Sequence, residues 1–542
     1  MPRAHTEVRQ IRNGAKTGAI DMKRNARLAR VAVPASLLAL TLAACSGSDE
    51  PDDSMSPTTE ATDDAMAEGG AVAGSVLRAN WGGFPESWAP GAEMEAGYMR
   101  VPYENLTQIG ASGDVEPMLA ASWEQTDEAL TLTLQEGVTF HDGTPFDAEA
   151  VKVNLELIKN TPGPYAGPFQ VVSSIDVVDE LTVQINLTQP TPSMVTTLST
   201  RAAPMASPAA IEAGTVAQTP VGTGPWAYDE AASISGSRMA FVAYPDYWGE
   251  VPAFETVQLF AIEEDNAATT AMVNGEIDIT DTELDQLSTF ESSGNFATIS
   301  YPAIRNNPIF FDRGPGGLFE DLAVRQAACY AMDTQVIADL DGDVAVRTQH
   351  FAEGEQGYNP EIEGYMHDLG MAESLMDEAG NPSVVGEMMS TVFNTRQIQV
   401  YADQWGEIGF EITVQEAPPP QYFSEWNSGA YPVGVGSNDE LTPYDWYTAW
   451  FAADAPGNPS GVESDELKAA GDAAIAAGSS DEADALWAEV TKIIADEALT
   501  CGHIASEELI AVNADTVTGA DVPSQPWETV LINYRDLQPA GS

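Results

Sequence analysis

Residues 130–149 read Leu130-Thr-Leu-Thr-Leu-Gln-Glu-Gly-Val-Thr-Phe-His-Asp-Gly143-Thr-Pro145-Phe-Asp147-Ala-Glu149, and this stretch decides the fold. The strict alternation of leucine and threonine over 130–134 predicts a half-buried strand. Gly143-Thr-Pro145 predicts a turn, and Asp147 is placed to cap a helix over 147–159 that has one apolar face. The stretch therefore predicts a strand that turns directly into a helix.

The same two periodicities recur along the chain and predict a mixed α/β class. Residues 181–187 alternate like a strand and, together with 175–178, predict a hairpin. Apolar residues at helical spacing predict helices over 318–332 and 481–498, and Ser479-x-x-Glu482 is a capping box for the second helix. A chain of 542 residues is too long for one compact domain, so we expect at least two.

The N-terminus has the pattern of an export signal. The basic segment 24–30 precedes an apolar run over 31–43 that is too short to span a bilayer well. Leu42-Ala-Ala-Cys45 follows and resembles the bacterial lipobox, in which the cysteine is lipidated. We therefore predict a lipoprotein signal peptide over 1–44 and a lipid anchor on Cys45. An ordinary secretory signal is the alternative.

Two further features of the N-terminal part bear on domain organisation. The residues before Met22 lack signal character, which makes Met22 a possible true start. Residues 45–75 are rich in Ser, Asp, Glu, Thr and Pro, and they are predicted to form a disordered acidic tether because they cannot bury enough apolar surface to fold.

The chain is strongly acidic, with 83 acidic and 22 basic residues and a formal charge of −61. Such a surface repels phosphates, which argues against a nucleic-acid partner. Attraction of cationic ligands is one interpretation. A solvated acidic surface is the other, and it is favoured because the charge is spread along the whole chain.

The common catalytic signatures are absent from the sequence. It contains no Gly-x-Ser-x-Gly elbow, no phosphate-binding loop and no His-Glu-x-x-His helix, and its five histidines lack metal-ligand spacing. We therefore expect no catalytic residues, no metal and no cofactor. A secreted hydrolase remains an alternative, because catalytic triads assemble from residues far apart in sequence.

Nine short motifs occur in a fixed order along the globular part. They are Tyr103-Glu-Asn-Leu106, Glu116-Pro-Met-Leu-Ala-Ala-Ser-Trp123, the segment 132–149, Pro220-Val-Gly-Thr-Gly-Pro-Trp226, Tyr244-Pro-Asp-Tyr-Trp248, Gly275-Glu-Ile-Asp278, the segment 319–333, the segment 372–380 and Ile408-Gly-Phe410. This series resembles the family 5 extracellular solute-binding proteins, the dipeptide-, oligopeptide- and nickel-binding receptors of ABC importers. The resemblance covers roughly 76–537.

The resemblance implies a two-lobed, periplasmic-binding-protein-like type II fold whose cleft closes over ligand. We expect lobe I to contain 76–304 and 507–537, with an extra subdomain inserted at about 111–218, and lobe II to contain 305–506. A ligand that contacts both lobes stabilises the closed state.

The resemblance also implies a function. It indicates a monomeric, lipid-anchored receptor, and not an enzyme, on the outer face of the cytoplasmic membrane. The receptor would capture peptides or similar small amphoteric solutes for the permease of an ABC importer. An anchored sensor without a transport role is a further alternative.

Candidate ligand-binding residues follow from the family pattern. Asp439 is the first choice and Asp445 the second for pairing a ligand ammonium group, and Arg396 fits a ligand carboxylate. Flat side chains expected to wall the pocket are Trp446, Tyr447 and Tyr98. The alternative for both aspartates is a plain surface charge.

The remaining residues of these motifs are expected to be structural. Gly222 and Gly224 are expected at positive φ. Arg325 is expected to satisfy carbonyl or carboxylate groups inside its lobe. Aromatic residues expected in cores are Trp123, Phe140, Trp226 and Trp248. Cys329 and Cys501 form a possible disulfide in an oxidising compartment, and two separately buried cysteines are the equal alternative.

Overall fold

The structure is a computed structural model, and it describes residues 71–80, 82–84, 87–92, 98–110, 114–161, 165–200, 202–341, 344–391, 394–436, 442–477, 481–520 and 533–541. The predicted signal peptide and Cys45 lie outside these residues, as does most of the predicted tether. Within them, no helix combines the length and the apolar character that crossing a membrane requires.

Strands and helices alternate throughout the described part of the chain. The strands are β1 (Val72–Asn80), β2 (Thr107–Ile109), β3 (Val115–Pro117), β4 (Ala120–Gln125), β5 (Ala129–Leu134), β6 (Val172–Asp179), β7 (Thr182–Leu187), β8 (Trp226–Ile234), β9 (Arg238–Ala243), β10 (Phe254–Phe260), β11 (Ile279–Thr282), β12 (Phe296–Asn306), β13 (Ile309–Phe311), β14 (Val344–Val346), β15 (Val385–Ser390), β16 (Glu411–Glu416), β17 (Val433–Val435), β18 (Thr500–Cys501), β19 (Ile504–Asn513), β20 (Val517–Thr518) and β21 (Gln538–Pro539).

The α-helices are α1 (Ala148–Asn160), α2 (Met194–Thr197), α3 (Pro208–Ala213), α4 (Asp265–Val273), α5 (Leu284–Ser293), α6 (Leu322–Ala331), α7 (Thr334–Asp341), α8 (Leu369–Glu378), α9 (Thr395–Glu407), α10 (Pro419–Asn427), α11 (Pro443–Trp450), α12 (Asp465–Ala477) and α13 (Asp481–Asp496). Two short 3₁₀ helices cover Tyr98–Arg100 and Pro168–Val171. This mixture confirms the predicted α/β class.

An eight-stranded sheet forms the first region of the fold, here called the eight-stranded region. Its strand order is β12-β19-β11-β1-β10-β9-β8, with β14 paired to β19. β1 lies parallel to both β10 and β11, whereas β19 is antiparallel to β11 and β12. Its core is apolar and includes Leu77, Trp226, Phe241, Val257 and Leu259.

The four-stranded region contains residues 130–149, from which a strand, a turn and a helix were predicted. Its sheet has the order β4-β5-β7-β6, and β6 and β7 form the predicted hairpin. Leu130, Leu132 and Leu134 are buried while the threonines between them are not, which confirms the predicted strand. α1 packs here with Val151 and Leu155 fully buried, and each such side chain contributes about 2 kcal/mol of hydrophobic stabilisation.

The helix α1 begins where its cap was predicted. The Asp147 carboxylate accepts a hydrogen bond from the backbone N–H of Ala150 (2.9 Å), which satisfies one of the free donors of the first turn. Gly143 in the preceding turn has a φ of 81°, a conformation that glycine adopts without strain. The strand, turn and helix predicted from this stretch are therefore confirmed.

The five-stranded region contains a sheet of order β16-β15-β17-β13-β18. Its core includes Ile309, Phe311, Met388, Trp405 and Val433, and a second, aromatic core lies beside it around α11 and α13. A disulfide joins Cys329 on α6 to Cys501 on β18, so it links two elements that are 172 residues apart in sequence.

Two short connections join the eight-stranded and five-stranded sheets directly, and between them in sequence β14 also pairs with β19 of the eight-stranded sheet. β12 belongs to the first sheet and β13 to the second, and the two strands are separated by residues 307 and 308. In the second crossing, residues 502 and 503 separate β18 of the five-stranded sheet from β19 of the eight-stranded sheet. These two short crossings lie side by side, since β12 pairs with β19 and β13 with β18.

The helix predicted over 318–332 is α6, and it begins at Leu322 rather than at Leu318. The Asp321 carboxylate accepts a hydrogen bond from Ala323 N (2.8 Å) and so caps the helix at that point. As predicted, buried Arg325 donates to backbone carbonyls, namely those of Phe319, Glu320 and Glu497.

The helix predicted over 481–498 is α13, and it ends at Asp496. Ala498 has a φ of 48°, in the left-handed region, so the helix does not continue to it. Ser479, the first residue of the predicted capping box, lies outside the described residues.

Gly222 and Gly224 are needed for a different reason from the one predicted. Neither has positive φ, so that prediction is wrong. A Cβ atom on Gly222 would lie 2.0 Å from the carbonyl oxygen of Pro102, and one on Gly224 would lie 2.7 Å from that of Val101. The two backbone segments therefore approach too closely for any side chain at these positions.

The four aromatic residues predicted to be structural all contribute to packing. Phe140 and Trp226 are fully buried, and Trp123 and Trp248 pack partly buried against the core of the four-stranded region. Trp248 also has a polar role, because its indole N–H donates to the carboxylate of Glu104 (2.8 Å).

Glu104 is a buried carboxylate held by four donors. The hydroxyls of Thr223 and Tyr247 and the indole of Trp248 donate to it at 2.7–2.8 Å, and the guanidinium of Arg535 lies 2.9 Å away. The side chain of Glu104 is completely buried. Because a buried charge is tolerated only when it is paired and hydrogen-bonded, this cluster ties the C-terminal segment to the middle of the chain.

Replacement of Glu104 with Gln is expected to lower the free energy of unfolding by about 3 kcal/mol, because it leaves the partly buried guanidinium of Arg535 without its counter-charge. Urea denaturation followed by tryptophan fluorescence measures the change. The matched control is Asp472→Asn, which removes one carboxylate from the exposed Lys468–Asp472 pair. It should leave the denaturation midpoint unchanged. Equal effects of the two substitutions would contradict the stabilising role of the Glu104 cluster.

Candidate functional site

The carboxyl ends of parallel strands form one edge in each of the two large sheets. In open α/β sheets, ligands bind outside such edges. In the eight-stranded region, the side chain of Asn80 at the end of β1 fixes the edge. Its amide donates to Thr280 Oγ1 of β11 (3.2 Å) and to Ile262 O (3.2 Å), and its oxygen accepts from Ile262 N (2.8 Å). The ends of β1, β10 and β11 are therefore held together.

The corresponding edge of the five-stranded region carries polar side chains. β15, β16 and β17 run parallel, so their carboxyl ends meet there. Thr395 connects two of these ends, because its hydroxyl lies 3.1 Å from Ser390 Oγ and donates to Glu416 Oε2 (2.8 Å). Arg396, predicted to meet a ligand carboxylate, is the next residue on α9 and its side chain is exposed.

The helix α11 carries three of the six predicted ligand-binding residues, which are Asp445, Trp446 and Tyr447. It follows β17 in sequence, and the Thr442 hydroxyl caps it by accepting a hydrogen bond from Asp445 N (3.1 Å). Asp439, the first choice for an ammonium partner, lies outside the described residues. Tyr98 begins the 3₁₀ helix Tyr98–Arg100.

Asp445 joins the five-stranded region to the four-stranded region. Its Oδ1 accepts a hydrogen bond from Ser193 Oγ (2.7 Å), which is 252 residues away in sequence, and its Oδ2 accepts one from Thr442 Oγ1 (2.7 Å). The hydroxyl of the neighbouring Tyr444 donates to Pro190 O (3.3 Å). The segment 190–193 therefore lies against the first turn of α11.

Burial raises the pKa of the Asp445 carboxyl above its ordinary value, although the hydrogen bonds from Thr442 and Ser193 act in the opposite direction. The charged form of this carboxyl is therefore less favoured here than in water, despite its two hydroxyl donors. Separation of the two regions would return the carboxylate to water and remove this desolvation, which makes the contact easier to break than one between apolar side chains. In the structure, Asp445 accepts hydrogen bonds from both regions and therefore connects them.

Trp446 and Tyr447 lie in the aromatic core of the five-stranded region. Trp446 is 1% exposed, and its ring stacks on His350 with centroids 4.7 Å apart and planes 10° from parallel. Tyr447 is 3% exposed, and its hydroxyl donates to Glu463. Both rings pack inside this region, and Trp446 also lines a cavity there, so their predicted role as walls of a ligand pocket stays a prediction.

The contacts of Ser193 and Pro190 with α11 are ones that the sequence did not indicate. The two residues lie in a Pro-Thr-Pro-Ser turn after β7, which reads as an ordinary connection. The partner helix is more than 250 residues away, and sequence periodicity carries no information about such a contact. Among the described residues, no group of three or more His, Cys, Asp or Glu is arranged to hold a metal ion.

Comparison with known proteins places this architecture. The sequence profile described as "Bacterial extracellular solute-binding proteins, family 5 Middle" matches residues 114–458. A relative in Escherichia coli (strain K12), the probable D,D-dipeptide-binding periplasmic protein DdpA, is 28% identical over 391 residues, which is 67% of this chain and 75% of that protein.

Solved structures share the fold. DppA from Helicobacter pylori in complex with the peptide STSA superposes with a TM-score of 0.68 at 20% identity, covering 86% of this chain and 98% of that one. NikA from Brucella suis in complex with Fe(III)-EDTA gives a TM-score of 0.72 at 22% identity, covering 86% and 99%. The predicted two-lobed periplasmic-binding-protein fold is confirmed by these structures.

Loss of the Ser193 hydroxyl is expected to loosen α11. Ser193→Ala removes one of the two donors to Asp445, and a hydrogen bond to a charged group contributes about 1.5 kcal/mol, so amide exchange in segment 442–450 should accelerate roughly ten-fold. Hydrogen–deuterium exchange mass spectrometry measures the rate.

The matched control is Ser173→Ala, whose hydroxyl donates to Asn186 O (3.1 Å) within the four-stranded sheet itself. This variant should leave the exchange of 442–450 at the wild-type rate. Unchanged exchange in both variants would show that the Ser193–Asp445 bond does not hold the two regions together.

Proposed function

Because the chain belongs to the bacterial extracellular solute-binding proteins of family 5, we propose that it is a lipid-anchored receptor that captures peptides or similar small amphoteric solutes and delivers them to the permease of an ABC importer. Members of this family are solute-binding proteins and not enzymes. The solute is therefore expected to leave the protein chemically unchanged. The site of action is the outer face of the cytoplasmic membrane.

The observation that carries the proposal is the bridge at Asp445. The eight-stranded and five-stranded regions are joined by two short crossings, which can act as a hinge. Asp445 and Tyr444 meet Ser193 and Pro190 away from these crossings. Contacts of this kind hold a two-lobed protein closed, and a solute that contacts both lobes adds to them.

The proposed lobes keep the bounds expected from the sequence. Lobe I comprises 76–304 and 507–537, with the inserted subdomain at about 111–218, and lobe II comprises 305–506. The four-stranded sheet, formed from residues 120–187, supports the insertion, because β1 before it and β8–β12 after it belong to the eight-stranded sheet. Both crossings between the sheets fall next to the proposed lobe boundaries.

The proposed ligand contacts lie at the carboxyl edge of the five-stranded sheet. Arg396 is the second residue of α9, the helix that follows β15, and the chain continues from β17 toward Asp439. An Arg pairs with a carboxylate and an Asp with an ammonium group, so the two residues suit a solute that carries both charges. A peptide is the favoured solute, because DdpA is described as a probable D,D-dipeptide-binding protein and the DppA structure contains a bound peptide.

Binding without turnover tests the proposal. Native mass spectrometry of the purified chain should reveal a co-purified peptide-like solute, and calorimetry with that solute should give one site. Asp439→Asn is expected to weaken the binding about 10- to 100-fold, since it removes the counter-charge of the ammonium group.

The matched control for this substitution is Asp454→Asn, which alters an exposed carboxylate of the same region and should leave the affinity unchanged. Two results would contradict the proposal. One is cleavage or conversion of the solute during prolonged incubation, and the other is equal loss of affinity in both variants.

Membrane attachment is tested separately at Cys45. Cys45→Ser is expected to release the mature protein from the membrane fraction into the soluble fraction, because the strongly acidic chain that follows the predicted signal peptide is repelled by anionic lipid. Fractionation and metabolic labelling with a radioactive fatty acid measure the effect. Retention of both the label and the membrane association in the variant would show that the anchor is elsewhere.

A further inference from the structure

We propose that the five-stranded region contains a second small-molecule site, in a cavity beside the crossing strands, and that this site takes an organic cation with an apolar or aromatic body. The site is distinct from the carboxyl edge where the transported solute is proposed to bind. It does not depend on the proposed function.

The cavity has a volume of about 590 Å³. Volumes between about 300 and 1,000 Å³ are typical of small-molecule sites. All of its described lining residues fall between Gln326 and His503. They come from the end of α6, the segment 346–350, the segment 361–367, the last turns of α13, and Thr500–His503. The wall therefore consists of elements that the disulfide Cys329–Cys501 and the adjacent aromatic core hold in place.

The inner wall is apolar and aromatic. Ile362 and Ile494 line it, and so do the stacked rings of His350 and Trp446. His503 is buried, and burial lowers its pKa to about 3, with the nearby His350 and Arg347 acting in the same direction. His503 is therefore neutral at physiological pH, so the inner wall offers a ligand apolar surface and neutral hydrogen-bonding groups.

Two tyrosines give the cavity an affinity for positive charge. Tyr330 and Tyr365 both line it, and their rings meet edge to face with centroids 5.0 Å apart. The hydroxyl of Tyr365 donates to Ala495 O (2.8 Å), which fixes the orientation of the ring. The negative face of a fixed tyrosine ring attracts a ligand cation, especially one that is partly removed from water.

The rim adds negative charge. Glu361 and Glu363 are exposed at the cavity, together with the exposed apolar side chains of Val346 and Met366. Asp333 and Asp496 also line the cavity, and Asp496 is paired with Lys492. Arg347 is the one Lys or Arg among the described lining residues. The balance of charge therefore favours a cation, and the apolar rim favours one that carries a hydrophobic body.

Phenethylammonium is a suitable probe, with 2-phenylethanol and phenylacetate as neutral and anionic analogues of similar shape. Saturation-transfer NMR and calorimetry on the purified chain should show saturable binding of the cation and much weaker binding of both analogues. The double substitution Glu361→Gln and Glu363→Gln is expected to raise the dissociation constant of the cation about ten-fold, since it removes two exposed ion pairs.

The matched control is the double substitution Glu373→Gln and Glu378→Gln, which changes the charge equally on the exposed face of α8. It should leave the dissociation constant unchanged. An equal rise of the dissociation constant in both double variants would mean that the cation is attracted to the acidic surface in general, and it would overturn the proposal of a site in this cavity. Loss of phenethylammonium binding in Asp439→Asn would place the cation at the other site, and this would overturn it as well.

Discussion

The pairing of β12 with β19 is the constraint on which the arrangement of the molecule depends. The two strands run antiparallel from Phe296 with Asn513 to Pro302 with Glu507, inside the eight-stranded sheet. Their continuations, β13 and β18, pair in the five-stranded sheet, where Ile309 lies opposite Cys501. Because the same two chain segments are locked in register in both sheets, the regions cannot slide past each other. Bending at residues 307–308 and 502–503 remains available, and hinge motion of this kind is what a capture mechanism requires.

Two buried carboxylates differ in how far their partners compensate their burial. Glu104 has three neutral donors and a guanidinium, which together compensate its desolvation. Asp445 has two hydroxyl donors and no described cation, and burial raises its pKa. The first arrangement stabilises one region internally. The second joins two regions through two hydroxyl donors alone, so it is the weaker of the two contacts.

Local patterns were sufficient to predict the elements but not the contacts between them. The alternation over 130–134 and the cap at Asp147 describe β5 and α1 correctly, because both depend on neighbours in sequence. The Ser193–Asp445 bond depends on two segments 252 residues apart, and neither has a local signal. α11 is aromatic on several faces, so the sequence did not reveal that Trp446 points inward to His350. Gly222 and Gly224 were correctly singled out, but the reason is the approach of residues 101–102 and not a backbone angle.

The cavity of the five-stranded region lies next to one of the two crossings between the sheets. Gly502 and His503 line the cavity, and β19 begins at the next residue, Ile504. A ligand in the cavity would therefore contact residues 502–503, one of the two crossings at which the regions are proposed to bend. A ligand shifts a conformational equilibrium only by the difference between its affinities for the two states. Bending at the proposed hinge would change the backbone at 502–503 and with it the wall of the cavity. Some difference in affinity follows, and occupancy of this cavity and capture of a solute at the carboxyl edge are then linked reciprocally.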